Sequence, residues 1–286
     1  MIPLEDSYTD ILKKASIGKG YGERKLASRC QCSLSDIQTF FKGDYSERML
    51  EAVAQVLNLN PKALKMHALG HSNPPEIEVN ALKSFQSKFP YTPELTLSVN
   101  HYLVTDEARK TALLFDTGTT ASECLAYLQR ENLQLEAICI THQHRDHTYA
   151  LNAYRTAFPQ APIYAARALP QIKESQAIRL GNEYPFGTYT LKALATPGHT
   201  EDGISFAISG LDRPLILVGD ALFAHSQGGT QSKEAFQLAL KSNRTHLLSQ
   251  AEETVLAPGH GPLTTVAHEL KFNPFYAETE CARSTL

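Results

Sequence analysis

No stretch of about 18 consecutive apolar residues occurs in the chain, so it offers no candidate transmembrane helix. Charge of one sign is also scarce. A formal net charge of −3 gives no overall pull toward nucleic acid or an anionic membrane surface. The opening residues Met1-Ile-Pro-Leu-Glu-Asp6 lack the basic-then-apolar signature of a secretory leader. Five cysteines form no disulfide-like array, and Cys30-Gln-Cys32 is too tight for an ordinary bridge. These absences together point to a reducing cytoplasm. What is present is ordinary for a globular protein: 286 residues, 42% hydrophobic and 20% charged. That composition argues against disorder. The length suits one large domain or two unequal ones with an ample core.

Residues 1–72 carry helical spacing throughout. Tyr8, Ile11, Leu12 and Ala15 mark a first helix from Ser7 to Ser16, which Gly18, Gly20 and Gly22 are expected to interrupt. Glu23–Arg29 makes a second. Ser33 is the expected N-cap of a third, broken at Gly43-Asp44 after Phe40 and Phe41. Met49, Leu50, Val53, Ala54 and Leu57 stripe a fourth, and Asn60-Pro61 opens a last one through Leu64. Short helices, tight turns and Lys-Gly-Asp resemble the Cro/repressor-type helix-turn-helix over some 55 residues. That resemblance implies a recognition helix from Ser33 to Lys42, with Gln38 and Lys42 able to reach base edges or phosphates. Ten Lys and Arg against eight Asp and Glu give this segment a charge of only +2, a weak electrostatic footprint for DNA. DNA binding and a plain packing or homodimerisation module both remain open from sequence.

After the linker His71-Ser-Asn-Pro-Pro75 the period changes. Ile77–Val79, Leu95–Val99, Tyr102–Val104 and Ala112–Phe115 predict strands, and Thr120-x-x-Glu123 predicts a capping box opening a helix with Cys124, Leu125 and Leu128 inward. Strands and helices then alternate to the end, so residues 73–286 form an α/β unit with layered sheets. Within it Ile138-Cys-Ile-Thr-His142-Gln-His144-Arg-Asp146-His147 packs three histidines and an aspartate into six positions at a strand end. Imidazole nitrogen and carboxylate oxygen are donors that zinc, iron(II) and manganese accept. Three further strands end on such a donor: Thr196-Pro-Gly-His199, Leu215-Ile-Leu-Val-Gly-Asp220 and Leu256-Ala-Pro-Gly-His260. A lone loop histidine or turn aspartate is unremarkable. Four strand ends that all terminate on a donor predict one metal site without membrane or cysteine chemistry.

These motifs, with Asp116-Thr-Gly118, resemble the metallo-β-lactamase superfamily and, within it, the glyoxalase II-like hydrolases, over about residues 77–286. The resemblance implies an αββα sandwich with its site at one edge between two sheets. It implies that His142, His144 and His199 hold one divalent cation, that Asp146, His147 and His260 hold a second, and that Asp220 bridges them. Zinc is the expected metal, with iron or manganese compatible. Asp116 would orient a ligand histidine. Water between two cations becomes hydroxide near neutral pH and attacks an electrophilic carbonyl, with Asp146 orienting it or taking its proton. The substrate expected is a small thioester, ester or lactone. A phosphodiesterase, or a mononuclear iron persulfide dioxygenase using two histidines and one aspartate, resembles the same motifs. A regulator in which the metal domain senses a ligand is the competing class. Thr148-Tyr149-Ala150 stands where family members often carry Gly-Gly, and Gly228-Gly229-Thr230-Gln231 stands where the glyoxalase II-like stretch often reads Gly-Arg-Thr-Asp. No counterpart of the residues that grip glutathione is evident. Tyr149, Phe223 and His225 lie near the donors in sequence and are candidates for shaping the pocket. The cysteines are expected to be buried structural thiols.

Overall fold

A computed structural model describes residues 2–92, 96–169 and 175–277. Five helices come first: α1 (Tyr8–Lys19), α2 (Glu23–Arg29), α3 (Leu34–Phe41), α4 (Glu47–Leu57) and α5 (Pro61–Ala68). Side-chain caps start four of them, at Ser7, Ser33, Ser46 and Asn60, satisfying first-turn N–H groups that have no helical partner. The first helix passes through Gly18 and stops at Gly20, which adopts φ 64°. The expected break at Gly18 is therefore wrong. A side chain there would strike the Phe236 ring, so the glycine marks a close helix contact instead.

Twelve strands follow in two six-stranded mixed sheets. The first holds β1 (Leu82–Pro90), β2 (Thr96–Asp106), β3 (Thr111–Phe115), β4 (Gln134–Cys139), β5 (Ile163–Ala165) and β6 (Ser175–Ala177), in that order. β1 to β3 pair antiparallel and β3 to β6 parallel. Helices α6 (Ser122–Arg130), α7 (Arg145–Thr148) and α8 (Leu151–Ala157) lie in its connections. The second sheet runs β12 (Thr264–Thr265), β11 (Val255–Pro258), β10 (Leu215–Gly219), β9 (Ile204–Ser209), β8 (Tyr189–Ala195), β7 (Glu183–Phe186). It is accompanied by α9 (Lys233–His246) and α10 (Val266–Phe272).

Alternation along the central strands explains the layering. In β3, Leu113 and Phe115 face the other sheet while Ala112 and Leu114 face the layer of α6 and α8. In β10, Leu215 and Leu217 join the same inter-sheet core, where Phe115 and Phe206 meet at 5.5 Å between ring centroids. Ile216 and Val218 point outward into a third apolar cluster. That cluster also holds Ile11, Leu12, Leu50 and Val53 of the N-terminal helices, Phe236 of α9, and Phe275 and Tyr276. The outer helical layer of the second sheet is thus built jointly by α9, α10 and the N-terminal segment.

Three strand and cap expectations need correction. Ile77–Val79 is not a strand: Val79 turns inward as an apolar plug, and its carbonyl accepts Leu82 N in a turn. The edge strand is β1, whose apolar residues Leu82, Phe85 and Phe89 have helix-like spacing because an edge strand buries little. The two expected strands around Val99 and Leu103 are one, β2, continuous through Asn100 and His101; Leu95 itself lies outside the described residues. Thr120 does not cap α6, which starts one residue later behind Ala121 with no side-chain cap.

Candidate metal centre

Seven donors from four chain segments meet at one edge of the two sheets. β4 delivers His142 and His144, and the single turn α7 turns Asp146 and His147 back toward them. The loops after β8, β10 and β11 supply His199, Asp220 and His260. Two groups result, each with its donor atoms within 4.8 Å of one another: His142, His144, His199 and Asp220, and then Asp146, His147 and His260. His144 Nδ1 lies 3.1 Å from His142 Nε2 and 2.9 Å from His199 Nε2. Asp220 reaches both groups. Its Oδ2 is 3.5 Å from His199 Nε2 and 3.5 Å from His260 Nε2, and its Oδ1 is 3.3 Å from His147 Nε2. Asp146 Oδ2 stands 3.3 Å from His260 Nε2. Every sequence-predicted donor is therefore in the cluster.

The outward nitrogens of four of the five imidazoles, those of His142, His147, His199 and His260, are engaged, which orients these rings. His147 Nδ1 donates to Asp116 Oδ2 at 2.8 Å, His199 Nδ1 to the Gly229 carbonyl at 2.7 Å and His260 Nδ1 to the Ser98 carbonyl at 2.8 Å. Asp116 also accepts from Thr141 N and Thr141 Oγ1, both at 2.8 Å, so the Thr141 hydroxyl is left to accept from His142 Nδ1 at 3.0 Å. Each of these rings consequently turns its other nitrogen toward the centre. Buried His147 Nε2 and Asp220 Oδ1 have no hydrogen-bond partner among the described residues. Leaving such atoms unpaired is costly, and a cation placed between the donors would satisfy them. Glycine keeps that space open. A Cβ at Gly259 would overlap Asp220 Oδ1, and one at Gly228 would overlap the Asp220 carbonyl.

Electrostatics agree with this donor chemistry. Burial alone would raise Asp220, but His260 and His147 beside it hold its carboxyl well below the usual range. Asp146 is likewise lowered against its burial, by the hydrogen bond from His260 and the charge of His147. Burial pushes His142 and His199 down, toward the neutral imidazole a metal requires. Burial would do the same to His147 and His260. There Asp220 outweighs it, helped by Asp116 and Asp146 respectively, and lifts His147 well above the imidazole range and His260 to about 10. Two protonated imidazoles beside two carboxylates mark a place that demands positive charge. Divalent cations would supply it.

A cleft of about 560 Å³ opens over the cluster, a size typical of small-molecule sites. Phe89, Tyr91, Leu97 and Phe223 give it an apolar wall, and Glu5, Asp6, Lys14 and Arg145 also line it. Of the residues expected to shape the pocket, only Phe223 does so. Tyr149 is 56% exposed beneath Arg145 and lies off the cleft. His225 is fully buried elsewhere. Its Nδ1 meets His67 Nδ1 at 3.2 Å and its Nε2 meets His268 Nε2 at 2.7 Å, with centroids 5.5 and 5.0 Å apart. Those separations are about what the N···N distance plus two ring radii gives, so the rings meet tip to tip with N–H aimed at lone pair. His142 and His144 lie closer, 4.7 Å by centroid at an N···N distance of 3.1 Å, so their nitrogens converge on a point between the rings. The first arrangement is a hydrogen-bonded chain. The second is what a shared cation needs.

The supports Ser98 and Gly229 leave no trace in the residue pattern, because they act through backbone carbonyls. Asn100 and His101, polar in the middle of β2, were the available signal: Asn100 Nδ2 donates to the Pro258 and Gly261 carbonyls and pins the loop bearing His260. Four cysteines are free among the described residues, Cys124 and Cys139 buried and Cys30 and Cys32 half-buried; Cys281 lies outside them. Among the described residues no helix is long and apolar enough to cross a membrane.

The chain is similar to known proteins. Residues 96–260 match the family described as the metallo-beta-lactamase superfamily. A probable metallo-hydrolase of Streptococcus pyogenes is 29% identical over 200 residues, 62% of this chain and 84% of its own. The probable metallo-hydrolase YqgX of Bacillus subtilis is 29% identical over 196 residues, 61% and 90% of the two chains. Among solved structures, ETHE1 from Myxococcus xanthus superposes with a TM-score of 0.56 at 28% identity, covering 68% of this chain and 84% of that one. TTHA1623 in a di-iron-bound form does so with a TM-score of 0.50 at 28% identity, covering 67% and 99%. Fold, donor set and relatives agree: the chain belongs to the metallo-beta-lactamase superfamily and is a metal-dependent hydrolase.

Proposed function

We propose that the protein is a dinuclear hydrolase that cleaves a small thioester, ester or lactone, in the manner of the glyoxalase II-like enzymes. The observation that carries this reading is the pair of donor groups that Asp220 reaches, with four of the five rings aimed inward by an outward hydrogen bond. In it, His142, His144 and His199 hold one cation, Asp146, His147 and His260 the other, and Asp220 lies between. Bound there, two divalent cations supply an acidified water and polarise a carbonyl. Asp146, kept anionic beside His260, would orient that water or take its proton while helping to hold the second cation. The aromatic wall of Phe89, Tyr91 and Phe223 holds the acyl or leaving group and excludes bulk water from the edge of the centre. Zinc is the metal we assign; the donor set also suits iron and manganese.

Residues 1–72 we read as a helical body fused to a hydrolase of residues 73–286. The α2–α3 pair has the order of a helix-turn-helix, but the Gln38 amide on α3 already donates to Glu23 at 2.9 Å. That contact supports a packing role over base readout. Mobility of the purified protein on DNA at low salt checks it, and a salt-sensitive shift would overturn it.

The test of function is metal content per chain in protein purified without added metal, paired with His260→Ala. About two zinc ions falling toward one in the variant, with thioester turnover in the parent, is expected. One iron, unchanged by the variant, would refute the dinuclear reading and direct attention to oxygen consumption.

A further inference from the structure

The matched family region begins at residue 96, yet three residues far upstream of it line the cleft: Glu5, Asp6 and Lys14. They are placed firmly. Lys14 pairs with Asp6, donates to the Gln227 carbonyl at 2.8 Å and sits 4.8 Å over the Phe223 ring. Asp6 also accepts from the Ser226 hydroxyl. Gly261, next to His260, has so little room that a Cβ there would lie 3.3 Å from Glu5 N. The His67–His225–His268 chain ties α5 to α10 behind this contact, and the other His67 nitrogen turns to the Asp6 backbone. The N-terminal segment therefore forms one wall of the cleft as a fixed part of the molecule.

The charges on that wall are unequal. Lys14 and Asp6 neutralise each other. Glu5 has no Lys or Arg within ion-pair distance among the described residues, and its nearest basic neighbour, His260 Nδ1 at 3.8 Å, is already committed to the Ser98 carbonyl. The Glu5 side chain retains 19% of its exposure and lines the cleft. Asp146 and Asp220 are offset by the cations they would hold. Arg145, the cleft's remaining cation, lies 5.1 Å over the ring of Tyr149, which is off the cleft, so Glu5 is the unpaired charge of the N-terminal wall.

Resting on the hydrolase reading above, we propose that Glu5 is a specificity-determining residue, supplied from outside the hydrolase sheets, that selects substrates bearing a positive charge and rejects carboxylates. A partly desolvated carboxylate a few ångströms from a bound ligand acts through a low effective dielectric, which makes charge sign the discriminating property. It also accounts for the missing glutathione grip: a doubly carboxylated substrate would face Glu5.

The experiment uses the full-length metal-loaded protein and two thiols that attach to a metal centre alike and differ in charge, thiocholine and 3-mercaptopropionate, titrated calorimetrically. The parent is expected to bind thiocholine at least tenfold tighter. Glu5→Gln is expected to bring the two affinities within about threefold, while Glu5→Asp, which keeps the charge, retains the preference. A ratio unchanged by Glu5→Gln in a variant that melts like the parent would overturn the proposal. Lack of thioester turnover in the parent would count against the hydrolase reading alone, since the thiol affinities are read without catalysis.

Discussion

Replacing Asp116 with asparagine changes one atom in a residue that touches no cation, yet it should cost metal. Asp116 is 4% exposed and accepts three hydrogen bonds of 2.8 Å, from Thr141 N, Thr141 Oγ1 and His147 Nδ1. Asparagine has the same shape and can keep Thr141 N on its oxygen. Its amide group then faces His147 Nδ1, donor against donor. The ring escapes by moving its proton to Nε2, which is the nitrogen aimed at the centre, so the proton occupies the position a cation needs. Loss of such an orienting partner typically costs about 10–100-fold in metal affinity, or about 1.4–2.8 kcal/mol. The loss should be largest in the group of Asp146, His147 and His260, with a smaller loss in the group of His142, His144 and His199 through the Thr141 hydroxyl that supports His142. Competition against a chromophoric chelator, fitted to two sites, separates the two. Both affinities within twofold of the parent, or both falling equally, would refute the argument that Asp116 acts by fixing the His147 tautomer.

Two further outcomes are expected. Burial pushes His225 down to about 3, with His67 and His268 beside it adding to the shift. A group whose folded pKa lies below its unfolded value binds fewer protons when folded, so its contribution to stability is complete above about pH 6.5 and is lost as pH falls from there toward 3. His225→Asn should flatten the fall of unfolding free energy below pH 6.5 by up to about 1.4 kcal/mol per pH unit, measured by urea denaturation; equal slopes would contradict the assignment. Deleting residues 1–72 bares Ile216, Val218, Phe236, Phe275 and Tyr276 at once, and the remainder should aggregate or lose cooperative melting. A soluble monomer with a sharp transition would show that the hydrolase layers stand alone.

The donors were legible because each combines a strong local pattern with a clear position: an apolar strand, a tight turn, then His or Asp. His199, Asp220 and His260 could be found one at a time and joined by that shared placement. Asp116 was legible for the same reason. What escaped was set by long-range contact. Ser98 and Gly229 orient histidines through carbonyls that any residue would offer. His225 sits near Asp220 in sequence, yet a left-handed backbone at φ 64° turns it away toward His67 and His268. The edge strand β1 buries so few residues that its spacing imitated a helix. Glu5 and Lys14 carry no motif at all; only the packing of α1 against α9 brings them to the cleft.

The shared outer layer has a consequence for synthesis. The N-terminal helices leave the ribosome before the sheets, with Ile11, Leu12, Leu50 and Val53 on their apolar faces, and groups that cover those faces come about 200 residues later. Asn60 N donates to the Pro274 carbonyl at 2.8 Å, and Phe275 and Tyr276 complete the same cluster. At ordinary elongation rates of about 5–20 residues per second, the roughly 200 residues in between take on the order of 10–40 s to appear. Through that interval residues 8–68 carry a hydrophobic face that only loose helical association can cover, until residues 274–276 arrive to seal it.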